Sequence, residues 1–481
     1  MIDIIKQNLK KEESKITTKF KKENFFLFKN EDIVKSQLFG SESPLVPDNR
    51  VKLIRIAAII SYIIMLCMQI RNIIVFRGEI TSDSVRYVTD GLTHATNGTW
   101  YPTAESFTDL GGVAGNGYVN FLALLLRITT DLRIIYIGQL LLVQIILFAT
   151  IYIAKKISGS STAAYITCIT FCLFGTYWGE ICTPRTEILF SALSMLALAL
   201  AVKGGKFSVI GAGVILAYAQ WTRPLALAFM IAAIWLFIYR GDKLRNYITL
   251  VAGFCAMVVL LTTFTYFNSG EANFQPTIAD GNFLMGANED ADGSYNNDVF
   301  MEGHAGYIPP EKKAEMEYDE INVFYRETGI NWIKANPGKY LALMPKKVFY
   351  FLATETYSGD IYFDNHIRTA GRDYIYSLFD ILLGQGERPF AFGDAVIIYT
   401  QGFYMVILAL FFAGVIYSMK KGYWRTMSFL YGIFLIGLAA SLYTVGGARY
   451  HFPYLPVMFI TAALFVDTVI VRRKNKTKKL K

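Results

Sequence analysis

Four short stretches of this chain hold residue types that could do acid–base chemistry on an anionic substrate. The first is Asp83-Ser84-Val85-Arg86-Tyr87, inside the polar segment 77–91, RGEITSDSVRYVTDG. The others are Thr183-Pro184-Arg185-Thr186-Glu187, Trp221-Thr222-Arg223-Pro224 and Gly446-Gly447-Ala448-Arg449-Tyr450-His451-Phe452-Pro453. Each of these three places an arginine and a proline near the expected start of a helix. Proline is tolerated there, because its missing N–H would be unpaired anyway. A helix start is also the positive end of the helix dipole. An arginine next to it makes a site for an anion such as phosphate. Asp83 is the candidate base, and Asp90, Glu180 and Glu187 are the neighbouring acids to weigh with it.

These residues need a scaffold, and composition names its class. The chain has 481 residues, 53% hydrophobic and 18% charged, against about 25% charged for a soluble protein. Its apolar residues form long runs near 54–76, 132–154, 161–178, 186–202, 207–220, 225–239, 246–267, 395–418, 426–443 and 453–471. About 20 apolar residues cross a bilayer as a helix, since lipid offers no partner to a free backbone amide. The reading is all-α: a polytopic integral membrane protein of about ten transmembrane helices.

Basic residues cluster at alternate connections: Lys155-Lys156, Lys203 with Lys206, Arg240-Lys243-Arg245, Lys420-Lys421-Arg425, and the tail RRKNKTKKLK. Positive residues favour the cytoplasmic side. All of these can be cytoplasmic together if the N-terminus is too, and ten crossings return the C-terminus to that side. The division that follows is a cytoplasmic tail over 1–50, helices one to seven over 51–267 with an outer loop 77–131, and an extracytoplasmic loop domain over 268–394. Helices eight to ten then fill 395–471, before a basic cytoplasmic tail, 472–481. The stretch 268–345 carries 13 acidic and 5 basic residues, which suits an outer loop. Amphipathic pieces near 311–335 and 338–352 suggest that it is folded. The apolar piece 118–128 is too short to span, and either lies along the interface or extends the second helix. The N-terminal 28 residues read equally as a surface-lying amphipathic helix or as a disordered tail.

Arg223 is the most informative arginine. The runs on either side of it are shorter than the roughly 20 residues that span the hydrocarbon. The turn between them should therefore sit below the outer surface, where a charge is costly and marks a site. An anion at that depth, beside a candidate base, points to a lipid phosphate. A sugar joined to a polyprenyl phosphate carries a good leaving group. Where inverting glycosidases need an acid and a base, arginines holding the phosphate can replace the acid. One carboxylate then suffices, taking the proton from an attacking hydroxyl.

On these residues the chain resembles the bacterial C-type (GT-C) membrane glycosyltransferases, relatives of protein O-mannosyltransferases and aminoarabinose transferases. Asp83-Ser84-Val85-Arg86-Tyr87 resembles their Asp-Glu-x-Arg-Tyr signature. Thr186-Glu187-Ile188-Leu189-Phe190 is similar to the acidic start of one membrane helix, and 211–224 (GAGVILAYAQWTRP) to a glycine-rich helix ending in Thr-Arg-Pro. Asp280-Gly281-Asn282 with Gly286-Ala287-Asn288 and Gly293-Ser294-Tyr295 resembles the family's Gly-x-Asn…Gly-Asn…Gly-x-Tyr loop. Ala448-Arg449-Tyr450 with Pro453 and Pro456 resembles its Arg-Tyr…Pro…Pro helix opening. The resemblance implies a polyprenyl-phosphate-sugar donor, transfer to an acceptor (protein, glycan or lipid) at the outer face of the cell membrane, and inversion at the anomeric carbon. It makes Asp83 the base and has Arg449 and Arg223 hold the phosphate, with Glu187 shaping a pocket. Arg86, Tyr87, Tyr450 and His451 are carried as further substrate-binding residues, and Asn282 and Asn288 as loop residues of the site. Two departures stand out. Ser84 replaces the second acid of the signature. Residues 110–120 read LGGVAGNGYVN where aminoarabinose transferases have a Lys-Pro-Pro segment, which argues against that subgroup.

The remaining signals are blander. The five cysteines, Cys67, Cys168, Cys172, Cys182 and Cys255, lie in or beside apolar runs and imply no disulfide framework. His94 flanks the proposed site, and His304 reads as a solvated loop residue. No His/Cys/Asp spacing fixes a metal, so no metal or cofactor is expected. The net charge of +9 sits in the membrane flanks and calls for no nucleic acid. Two other functions share the topology. A transporter or flippase for lipid-linked glycans should show paired repeats and broken helices, and none is visible. A polymerase or ligase would differ in its donor.

Overall fold

The computed structural model describes residues 48–76, 83–108, 115–274, 279–316, 318–355, 382–384, 389–422 and 424–471. The expected N-terminal tail, as far as residue 47, and the basic tail 472–481 lie outside the described residues. So does most of 356–388.

The described residues are helical, with no strand among them. In chain order the helices are α1 (Asp48–Val75), α2 (Asp83–Thr96), α3 (Ala104–Thr108), α4 (Asn116–Leu126), α5 (Arg133–Ser158), α6 (Ser161–Cys172) and α7 (Thr176–Gly179). Next come α8 (Thr186–Lys203), α9 (Lys206–Thr222), α10 (Leu227–Arg240) and α11 (Leu244–Ser269). A polar stretch follows with α12 (Ala279–Met285), α13 (Pro310–Glu315), α14 (Tyr318–Ala335) and α15 (Pro337–Leu352). The chain closes with α16 (Phe392–Lys421), α17 (Trp424–Tyr443), α18 (Ala448–His451) and α19 (Leu455–Val466).

Seven helical stretches among the described residues are long and apolar enough to cross a membrane. These are α1, α5, α8, α11, α16, α17 and the joined stretch Ala448–Val469. The protein is an all-α, polytopic membrane protein. The other three apolar runs of the sequence are helical but short. The run at 161–178 is a 12-residue helix, α6, that breaks before α7. The runs at 207–220 and 225–239 are α9, of 17 residues, and α10, of 14. The piece at 118–128 is not an extension of the second span. It is the separate, largely buried helix α4, packed under α2 and ended by a turn at Arg127.

The bundle packs in neighbouring pairs, α8 on α5 and α9, α9 on α11, and α19 on α5, α6 and α16. The α9–α11 crossing is closest. A Cβ on Gly213 would run into the Leu250 carbonyl oxygen, and one on Gly253 into the Ile210 carbonyl oxygen. Only hydrogen at both positions lets the two backbones touch. At one end of the bundle Arg240 donates to the last carbonyls of α8, at Ala201 (3.1 Å) and Val202 (3.0 Å). That satisfies acceptors which a helix C-terminus leaves open. The same end gathers the basic connections read from the sequence. The other end gathers the start of α2, the α7–α8 turn, the end of α9 and α18.

Candidate active site

Each charged side chain at this second end is placed by a break in a helix. The residue before a proline avoids helical dihedrals, so Arg223, ahead of Pro224, is extended (φ −155°, ψ 129°) and ends α9. Arg185, after Pro184, is extended too (φ −142°, ψ 153°) and starts α8. Glu187 therefore sits in the first turn of α8, where the helix dipole favours a carboxylate. Arg449 lies in the four-residue helix α18, between two glycines and Pro453.

The turn leading into α8 is tied down by buried amides. Gln69 and Asn72 of α1 donate to the carbonyls of Tyr177 and Trp178, each at 2.8 Å. Gln139 of α5 donates to Ile181 (2.8 Å) and Thr183 (3.2 Å), while its own oxygen accepts from the Tyr118 hydroxyl. Tyr87 packs edge-on against Tyr118, with ring centroids 5.5 Å apart.

On this frame four charges form one chain. Asp83 Oδ2 accepts from Arg449 Nη1 at 2.5 Å. Arg449 Nε donates to Glu187 Oε1. The same oxygen takes Arg223 Nη1 at 2.6 Å. Thr186 Oγ1 donates to the second oxygen of Glu187 at 3.1 Å. Two carboxylates and two guanidiniums leave the chain neutral. Glu187 is fully buried, whereas the Asp83 side chain is 45% exposed. The buried end is thus the anchor and the exposed end is the reachable one.

The structure therefore brings together Asp83, Glu187, Arg223 and Arg449, four residues singled out from sequence on four separate segments. Tyr87 and Tyr450 pack beside them. Arg86 lies along its own helix, 3.8 Å from Asp90. Arg185 faces Glu180 at 3.8 Å. His451 does not join the chain: it is fully buried, with its ring nitrogens bonded to the Phe351 carbonyl and the Glu355 carboxylate. Asn288 is also buried. It donates to the Leu284 and Met285 carbonyls and accepts from the Asp290 amide, which caps the end of α12. Asn282 is a half-buried residue of α12 itself. His94 bonds Thr99 (2.8 Å) and His304 bonds Asp290 (2.8 Å). Among the described residues no group of three or more His, Cys, Asp or Glu could hold a metal ion.

Sequence reasoning missed Glu355, Thr176 and Lys347. Lys347, on α15, is buried and donates to the Leu442 carbonyl at the end of α17 (3.0 Å). Burial pulls its ammonium down to about 8. Glu180 is buried with no hydrogen bond to either oxygen among the described residues. Burial raises its carboxyl to about 8, against the opposing pull of Arg185. The one available signal was charge beside an apolar stretch: a lone glutamate in FLATETY for Glu355, and the pair Lys346-Lys347 ahead of VFYFL for Lys347.

Helices α10, α15, α16 and α17 line an apolar groove of about 590 Å³. Trp235, Phe412, Met419, Leu435 and Leu352 are among its lining side chains.

No family model matches the chain, and no curated protein does. Among solved structures it is similar to the apo form of the oligosaccharyltransferase of Archaeoglobus fulgidus, with a TM-score of 0.47 and 11% sequence identity. The match covers 88% of this chain and 52% of that one, so the chain spans about half the length of that protein.

Proposed function

We propose that the protein is a GT-C-type membrane glycosyltransferase. It moves a sugar from a polyprenyl-phosphate donor to an acceptor hydroxyl at the outer face of the membrane, with inversion. The observation that carries this reading is the chain Asp83–Arg449–Glu187–Arg223. It sets an exposed carboxylate beside two arginines whose geometry is fixed from behind by a buried acid.

In the reaction the acceptor oxygen bonds to the anomeric carbon as the carbon–phosphate-oxygen bond breaks. The acceptor proton goes to the Asp83 carboxylate. The leaving phosphate takes the electron pair, and Arg449 and Arg223 hold its charge. Such preorganised cations stabilise developing charge without moving at the moment of reaction.

Arg449 meets Asp83 directly in this structure, so an incoming phosphate and Asp83 compete for one guanidinium. Donor binding draws Arg449 toward the phosphate and frees the carboxylate to accept a proton. The groove supports the lipid part of the reading. Its wall residue Leu352 adjoins Phe351, whose carbonyl holds His451, two residues from Arg449.

The test is transfer from a panel of polyprenyl-phosphate sugars by purified protein. Asp83→Asn should lose turnover by about 10²- to 10⁴-fold, the usual contribution of a general base. It should bind polyprenyl phosphate at least as tightly as wild type, because a competing carboxylate is gone. Full activity in this variant would remove Asp83 from the mechanism. Unchanged donor affinity in Arg449→Ala would remove the clamp.

A further inference from the structure

Arg449 stands on the first turn of the joined stretch Ala448–Val469, ahead of a 3-10 turn at Phe452–Tyr454. The first turn of a helix has backbone N–H groups with no intrahelical partner, so it is held less firmly than the interior. Gly446 and Gly447 precede it, and Pro453 follows. Contacts on both sides fix its placement further. Before it, the Gly446 amide donates to the Gly293 carbonyl at 2.9 Å. After it, the anchor is His451.

His451 is held on every side. Its Nδ1 faces the Phe351 carbonyl and its Nε2 faces Glu355 Oε2. Tyr404 stacks on the ring at 5.2 Å between centroids, and Phe351 meets it edge-on at 5.6 Å. Glu355 is fixed in turn. Its other oxygen accepts from Thr176 Oγ1 at 2.8 Å, and its backbone amide donates to Gln401 Oε1 at 2.8 Å. Gln401 also donates to the Ala353 carbonyl at 2.9 Å. Glu355, His451 and Thr176 are all buried. Three segments distant in sequence, α7, the end of α15 and α16, thus converge on one imidazole.

The protons balance in only one pattern. A carbonyl can only accept, so Nδ1 carries hydrogen. One further proton lies between Nε2 and Glu355 Oε2. Written as imidazole with carboxylic acid or as imidazolium with carboxylate, the pair is neutral. That removes the main objection to burying it.

We propose that Glu355 is a positioning residue: it grips His451 and thereby fixes the short helix that presents Arg449 to Asp83 and Glu187. His451 acts from behind the site and touches no substrate. A displacement of about 1 Å at such a contact is enough to impair a site built on geometry.

The test uses the full chain in detergent with a polyprenyl monophosphate as probe, together with hydrogen exchange of the amides at 446–452. Glu355→Ala removes the bonds that His451 Nε2 and Thr176 Oγ1 make to Glu355. It should weaken probe binding about tenfold or more and speed exchange at 446–452, with the long helices unchanged. Glu355→Gln keeps every bond, since its amide donates to Nε2 and its oxygen still accepts from Thr176. It should stay within about twofold of wild type. If Glu355→Ala does not accumulate, Thr176→Val takes away the Thr176–Glu355 bond and should show a smaller shift of the same kind. Wild-type exchange in Glu355→Ala overturns the proposal, and so does a Glu355→Gln variant as impaired as Glu355→Ala. The binding arm rests on the phosphate reading, but the exchange arm does not. If wild type fails to bind the probe, the lipid-phosphate reading falls, and exchange alone decides the role of Glu355.

Discussion

Glu187 carries more of the site than Asp83 does, although Asp83 is the reactive group. A fully buried carboxylate is tolerable only when it is paired and hydrogen-bonded, and Glu187 has two guanidiniums and one hydroxyl. Glu187→Ala would remove the buried carboxylate that both arginines share and should cost about 3–5 kcal/mol of stability, read as a large drop in the detergent unfolding temperature. Glu180 makes the opposite case. Its carboxyl is raised to about 8 by burial, so below pH 4.5 both folded and unfolded states hold the proton. Between there and about 8 only the folded state does, and stability falls as pH rises through that window. Glu180→Gln should flatten this decline in an unfolding series from pH 5 to 8; an identical slope in both proteins would show that Glu180 is ionised when folded. These two acids also show what sequence conveys at this scale. Glu187 was legible because a charge at the start of an apolar run needs an explanation. Glu180 was noticed but its state was not, because being neutral depends on the walls around it. Glu355 and the inward turn of His451 depend on partners about a hundred residues away or more, which no local pattern encodes.

At the level of elements, proline and glycine were the legible signals and depth was the hidden one. Trp221-Thr222-Arg223-Pro224 marks the end of α9, and the two short runs around it are the short helices α9 and α10. The break of α6 before α7 was not read from the run 161–178; it falls at Gly175, where a Cβ would run into the Thr400 hydroxyl of α16. Close backbone contacts are equally hidden, yet they set the frame. A Cβ on Gly213 would invade the Leu250 carbonyl oxygen. Gly213→Val should therefore part α9 from α11, move Arg223 with α9, and lower both the folded yield and donor binding. Normal yield and normal binding would show that the helices can slide apart without cost. At the site, a Cβ on Gly286 would meet the Thr444 carbonyl and, at 2.8 Å, the Lys347 ammonium. α12 is thus seated against the strand of chain that leads into α18. The groove offers a contrasting glycine. Gly432 has open space where a Cβ would go, so Gly432→Trp should fill the groove and leave the fold intact. It should raise KM for long-chain donors more than for short-chain ones. An equal effect on both would place the lipid chain elsewhere.

Across the whole molecule, charge separates the two ends of the bundle, and that separation decides on which side the chemistry happens. Lys155, Lys156, Lys203, Arg240, Lys243, Lys420 and Lys421 lie at the ends of the long helices away from Asp83. The site end holds the neutral ion-pair chain and the acidic stretch 268–345. Basic residues in short connections resist translocation, so the site should face outward and the basic end should be cytoplasmic. Thiol labelling in intact cells reads this directly. The five native cysteines would first be replaced by serine or alanine. Thr96→Cys, exposed at the end of α2, and Lys243→Cys, exposed ahead of α11, then report on the two ends. Thr96→Cys should react with a membrane-impermeant maleimide added outside. Lys243→Cys should react only after the membrane is permeabilised. The reversed pattern would put Asp83 on the cytoplasmic side. The lipid-linked donor would then have to be used where it faces the cytoplasm, and transfer at the outer face would be excluded. Labelling of both positions from outside would require an even number of membrane crossings between residues 96 and 243, against the five apolar runs that lie between them; a known cytoplasmic cysteine protein in the same cells checks that the membrane was sealed.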